Sequence, residues 1–145
     1  MSKAAFTTSI AALAVWASPT WAAEIICSPL SQTSIFQARG EAQSSTTKPD
    51  KGDGFKVVQD ADGRYDIIWN TPQFDFKTVR AGGIDLRALD KSVFPTEFGL
   101  SGGGFNFSYT LHVNKDEDGS LGYSLTTNMF VGNYVSLTEF GKCRM

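Results

Sequence analysis

The stretch FNFSYTLHVNKDEDGSLGYSLTTNMFV, Phe105 to Val131, holds two runs of strict alternation on either side of a turn. In the first run Phe105, Phe107, Tyr109, Leu111 and Val113 fall on one side and Asn106, Ser108, Thr110, His112 and Asn114 on the other, the period of two that a half-buried strand imposes. In the second, Tyr123, Leu125, Thr127, Met129 and Val131 repeat the pattern. Alternation also decides the turn. A two-residue loop at Asp118-Gly119 would set Val113 against Ser124 and turn one apolar face outward. A three-residue loop of Glu117, Asp118 and Gly119, with Gly119 in the left-handed conformation of a bulge, sets Asp116 against Ser120 and brings the apolar residues together. The predicted pairs are Val113 with Tyr123, Leu111 with Leu125, Tyr109 with Thr127, Phe107 with Met129 and Phe105 with Val131.

The same device recurs upstream. A three-residue loop of Ala61, Asp62 and Gly63 pairs Gln59 with Tyr65, Val57 with Ile67 and Phe55 with Trp69, so apolar side chains meet again. Asp60 and Asp116 stand where a type I turn favours aspartate, whose carboxylate accepts a hydrogen bond from backbone two residues on. Outside these hairpins the reading is coarser. Glu24 to Cys27 reads as a short strand stopped by Pro29, Ser34 to Ala42 fits a strand or a helical turn, and Gln43 to Gly54 reads as an exposed polar loop. Gln73 to Arg80 reads as a strand with Phe74 and Phe76 on one side, interrupted by Gly82-Gly83, and Ile84 to Leu89 fits either a strand or a helical turn. Lys91 to Gly104 reads as a long loop or irregular edge, Gly132-Asn133 as a two-residue turn, and Tyr134 to Phe140 as the last strand. The expectation is an all-β fold: a small antiparallel barrel or sandwich of seven to eight strands, hairpin-rich, with the N- and C-terminal strands adjacent.

The opening residues predict export. Lys3, the modestly apolar run Ala4 to Ala17, and Ser18-Pro19-Thr20-Trp21-Ala22-Ala23 supply the basic start, apolar centre and small residues of a secretory signal peptide. Cleavage after Ala22 puts Thr20 and Ala22 at the small-residue positions, whereas cleavage after Ala23 would put Trp21 at one of them. Residues 1–22 are the expected signal and 23–145 a single β domain. The apolar run is shorter than the roughly 20 residues a membrane span takes, so no span is expected after signal removal. The only two cysteines, Cys27 and Cys143, stand near the two ends of that domain and read as one disulfide in an oxidising compartment, periplasmic or secreted. A net charge of −2 with no basic cluster argues against nucleic acid and against an anionic membrane surface.

The polar side of the 105–131 hairpin holds the single histidine. His112 stands opposite Ser124, Thr110 opposite Thr126 and Ser108 opposite Asn128, with Asp116 close by in sequence. Histidine beside serine with a carboxylate near is the constellation of a hydrolase. Here no elbow motif strains the serine and no oxyanion donor is identifiable, while hydroxyl, amide and imidazole groups are common on a wet strand face. The face is therefore a candidate polar binding surface. Asn114, Asp116 and Asp118, followed by Gly119, begin like a calcium loop, but Leu125 holds the twelfth position where a bidentate Glu should stand, and the flanks are strands. They form a candidate weak calcium site. Trp69, Phe55, Phe74, Phe76, Phe105, Phe107 and Tyr109 either fill the core at ordinary density or line a calyx. The triplet Asn106-Phe107-Ser108 matches a glycosylation acceptor. Its place inside the predicted strand makes it a chance match.

With one histidine, no cofactor fingerprint and much rigid sheet, the chain suits binding better than catalysis. The expected function is a small exported domain acting as a non-enzymatic binding or inhibitory module for a protein or envelope component, with no cofactor. The alternative is a carrier of a small apolar ligand in an aromatic-lined interior. The remote alternative is a hydrolase using His112.

Overall fold

The computed structural model describes residues 24–73, 75–92 and 96–145; the expected signal at 1–22 and Phe74 lie outside them. Within them ten antiparallel strands form one sheet curled into a half-barrel. They are β1 (Glu24–Ala38), β2 (Glu41–Thr47), β3 (Phe55–Gln59), β4 (Tyr65–Gln73), β5 (Phe76–Thr78), β6 (Arg87–Ala88), β7 (Phe98–Gly103), β8 (Phe107–Lys115), β9 (Leu121–Val131) and β10 (Asn133–Arg144), with a 3-10 turn at Arg80–Gly82. The order is β5-β4-β3-β1-β10-β9-β8-β7-β6, and β2 lies beside the second half of β1. One bridge joins Tyr65, at the start of β4, to Leu86, just before β6.

The β8–β9 hairpin has the register that its alternation dictates. Val113 faces Tyr123, Leu111 faces Leu125, Tyr109 faces Thr127 and Phe107 faces Met129. Asp116 N–H donates to the Ser120 carbonyl at 2.7 Å, and Gly119 takes a φ of 83°. The β3–β4 hairpin repeats the geometry with Phe55 on Trp69, Val57 on Ile67 and Gln59 on Tyr65. There Asp60 Oδ1 accepts the Asp62 and Arg64 N–H groups at 3.1 and 2.9 Å.

Several expectations are corrected. There are ten strands among the described residues where seven to eight were predicted, because short or polar segments pair. Pro29 does not stop β1. It lies opposite Gly141, between the end of the β3 pairing at Cys27 and the start of the β2 pairing at Gln32, so its missing N–H interrupts no ladder on that side. The first half of the expected polar loop is β2, joined to β1 by a tight turn at Arg39 (φ 52°) and Gly40 (φ 84°). Chain reversal before Phe76 makes β5 a return strand on β4, with Gln73 facing Phe76.

Two further corrections bear on register. β7 replaces part of the expected long loop, and Gly102 is required there, since a Cβ would fall 2.4 Å from the Asp85 carbonyl. The β7–β8 turn takes up Phe105 and Asn106, so Phe105 does not pair with Val131 and is fully exposed. Asn106 accordingly sits in a turn and not in mid-strand. The turn after β9 is also one residue shorter than expected, Gly132 alone, with Asn133 paired to Val131 and Tyr134 to Phe130. That register keeps Val135 opposite Met129 and Leu137 opposite Thr127, on the core side.

Inward-pointing residues make one core. Phe55, Ile67, Leu100 and Leu111 are completely buried, and Phe55 meets Trp69 and Tyr123 edge-on at 5.4 and 5.1 Å between ring centres. Cys27 and Cys143 face each other across β1 and β10 and form a disulfide, with Cα atoms 4.1 Å apart, near the spacing of a non-hydrogen-bonded antiparallel pair. Between Pro29 and Ser31 the β1 ladder skips Leu30, a bulge whose side chain points to solvent at 62% exposure.

Candidate functional site

The outer side of the sheet carries the residues singled out as a polar face. His112 lies opposite Ser124, Thr110 opposite Thr126 and Ser108 opposite Asn128. Because directly opposed residues in an antiparallel pair share a side, the same row can be followed across neighbouring strands. Thr110 faces Ser101 on β7, Thr126 faces Thr138 on β10, Thr138 faces Thr33 on β1, and Thr33 faces Thr46 on β2. Ser101, Thr110, Thr126, Thr138, Thr33 and Thr46 thus form one rank of hydroxyls across six strands. Thr126 and Thr138 hydroxyls are 3.2 Å apart, and those of Thr33 and Thr46 3.1 Å. In the next rank Asn128 Nδ2 donates to Ser108 Oγ at 3.2 Å and Tyr134 Oη donates to Asn128 Oδ1 at 2.9 Å. Tyr134 in turn packs against Phe130, ring centres 5.2 Å apart. The half of this surface outside the hairpin escaped sequence reading, because its members come from separate hairpins.

Toward the other end, the surface sinks into a depression of about 450 Å³ that gathers Ser124, Asn114, Asp116, Phe140 and the bulged Leu30. Two of the expected calcium residues, Asn114 and Asp116, are thereby brought beside Ser124, but the carboxylates of Asp116 and Asp118 have partners. The Asp116 carboxylate pairs with the Lys142 ammonium and accepts the Ser120 hydroxyl at 3.4 Å. This contact pushes the Lys142 pKa up. Asp118 Oδ1 accepts the Ser120 N–H at 2.9 Å, and hydrogen bonds from Ser120 hold its carboxyl below the usual range. Among the described residues no three of His, Cys, Asp and Glu gather within metal-ligating range. The Lys142 ammonium stands where a cation would compete, and it directs Asp116 toward itself.

Sequence reading missed Glu139. It is 7% exposed, faces Gln32 and Leu125 across the sheet, and accepts the Tyr123 hydroxyl at 2.6 Å. Burial pushes its pKa up, the Tyr123 hydrogen bond opposes this, and the charge of Asp53 adds to the rise. Burial and the adjoining carboxylate push Tyr123 far up as well. A polar cleft of about 210 Å³ lined by Gln32, Asp53, Thr71, Gln73 and Glu139 opens beside the pair. The signal was available: Glu139 shares its parity with Leu137, Gly141 and Cys143, the core side of β10.

The aromatics divide. Phe55, Trp69 and Tyr109 lie in the core, Phe107 packs against it, and Phe105 stands in solvent. Space is found instead at the rim where β1 begins and β10 ends, in a groove of about 580 Å³ lined by Ile25, Phe98, Val113, Leu121 and Met145. No described helix is long and apolar enough to cross a membrane. No family model matches the chain, and no curated protein or solved structure does so either.

Proposed function

We propose that the protein is an exported, non-enzymatic binding or inhibitory module, periplasmic or secreted, whose outer sheet face engages a protein or envelope component. The observation that carries this reading is the uncharged, in-register rank of hydroxyls from Ser101 to Thr46 across six strands. Backbone pairing fixes its spacing at ~4.8 Å per strand, so the donors and acceptors are preorganised and a ligand loses little to ordering them. The Cys27–Cys143 disulfide supports an oxidising compartment. Apolar residues inside and hydroxyls outside are the reverse of what a lipid-facing barrel needs. Engagement of Asp116 by Lys142 and Ser120 occupies the acid that lies close to His112 in sequence.

A substitution that blocks the rank without touching the core tests the reading. Thr126→Arg places a long cation in the centre of the face and gives up the Thr138 hydrogen bond, at an expected cost of about 1 kcal/mol that leaves the fold intact. In cosedimentation with the cell envelope of the producing organism, the variant is expected to bind at least about tenfold more weakly, a loss of ~1.4 kcal/mol. Unchanged binding by the variant rejects the face. The second reading, a carrier of a small apolar ligand, is favoured by the groove around Ile25, Phe98 and Leu121. It requires an extra mass in the native mass spectrum that disappears on denaturation.

A further inference from the structure

The second half of β1 lies between β10 and β2, which leaves β2 as an open edge of the sheet. Among the described residues β2 pairs with β1 alone, from Gln32↔Thr47 to Ala38↔Glu41 without a register shift. All seven of its residues are exposed, so neither side of it rests on a core. Native sheets protect such edges with lysine, proline, a bulge or shortness. From Ala42 to Thr47 this edge has none of them. Its own side is already ordered, with Thr33 and Thr46 hydroxyls 3.1 Å apart and those of Ser34 and Ser45 2.7 Å apart. Beside it β1 exposes Ile35 on one face and Phe36 on the other, at 43% and 42%. Ser44, opposite Ile35, is too small to cover it.

We propose that this edge is a self-association surface: two copies of the chain pair β2 with β2, antiparallel, about a twofold axis through Ser44. The edge's composition selects the occupant. It is uncharged between Glu41 and Lys48, so identical strands meet without repulsion, and no charge within that span would choose a foreign strand. Neighbouring antiparallel strands keep their faces, so residues of the same parity must pair. A register centred on Ser44, the midpoint of β2, meets that condition and pairs every residue of the strand. Ala42 then faces Thr46 of the second copy, Gln43 faces Ser45, and Glu41 faces Thr47. On the outer side, Ile35, Ser44 and their copies form one rank. The arrangement is isologous and closes at two copies. It draws nothing from the proposed role of the Thr126 face.

Sedimentation velocity on the purified protein tests it. A reversible dimer is expected, its population rising with concentration. Ser44→Lys brings two ammonium groups together on the axis and weakens that dimer at least about tenfold, as does Ser44→Glu with two carboxylates. An equimolar mixture of the two variants restores the dimer. Ser44 is exposed, so each variant alone is expected to keep the far-UV spectrum and melting temperature of the original, and whichever folds serves as the probe. A protein that stays monomeric up to about 1 mM overturns the proposal. So does a dimer unmoved by Ser44→Lys and Ser44→Glu, or a mixture that stays monomeric when each variant has lost the dimer.

Discussion

Burial of Glu139 against the Tyr123 hydroxyl ties the stability of the protein to pH. Its carboxyl titrates above the ordinary glutamate value when folded, so over the interval between the two values the folded chain holds a proton that the unfolded chain has released. Stability therefore falls as pH rises through that interval, and the loss persists above it. Asp60, Asp90 and Asp118 are shifted the other way by hydrogen bonds, and their contribution is lost only as pH falls below the usual aspartate range. Glu139→Gln keeps an acceptor for Tyr123 and removes the ionisation. Thermal melts of the two proteins between about pH 5 and pH 8 are expected to show a smaller decline for the variant, which becomes relatively more stable at the alkaline end. Parallel curves would place the controlling group elsewhere.

At the level of the strand, β10 depends on a residue with no side chain. A Cβ on Gly141 would lie 2.1 Å from the Ser28 carbonyl and 2.6 Å from Tyr123 Cε1, so β1 and Tyr123 must both move to admit one. Gly141→Ala is expected to lower stability by about 1–3 kcal/mol in urea denaturation. Gly103→Ala, whose added carbon comes no nearer than 3.4 Å to any neighbour, should do far less. The two Asp-x-Asp-Gly hairpins were legible because alternation and turn chemistry agree within each. The β1–β2 pairing was not, because β2 is exposed on both sides and carries no apolar period, while the bulge at Leu30 shifts the phase of β1. A third of the hydroxyl rank could be read because Thr110 and Thr126 share one hairpin. Ser101, Thr138, Thr33 and Thr46 joined it only through the pairing of distant strands. Glu139 was legible from parity, which outranks polarity in deciding the side a strand residue faces.

For the molecule as a whole, the Cys27–Cys143 bridge spans 116 residues and so constrains most of the described chain. Replacing both cysteines by alanine is expected to lower the free energy of unfolding by about 2–5 kcal/mol, read from denaturant midpoints, with the sheet retained under native conditions. An unchanged midpoint would mean that strand pairing alone holds β1 to β10. The bulge between these strands has a different consequence, for changes in chain length. Leu30 is the one residue that the β1–β10 ladder passes over, with Pro29 opposite Gly141 and Ser31 opposite Phe140. Excising Leu30 would leave every one of those partners in place, whereas excising Thr33 would carry part of β1 half a pleat out of phase and swap its two sides. A single-residue deletion, ordinarily among the most damaging edits to a strand, has in β1 one position where the reading frame of the sheet survives it.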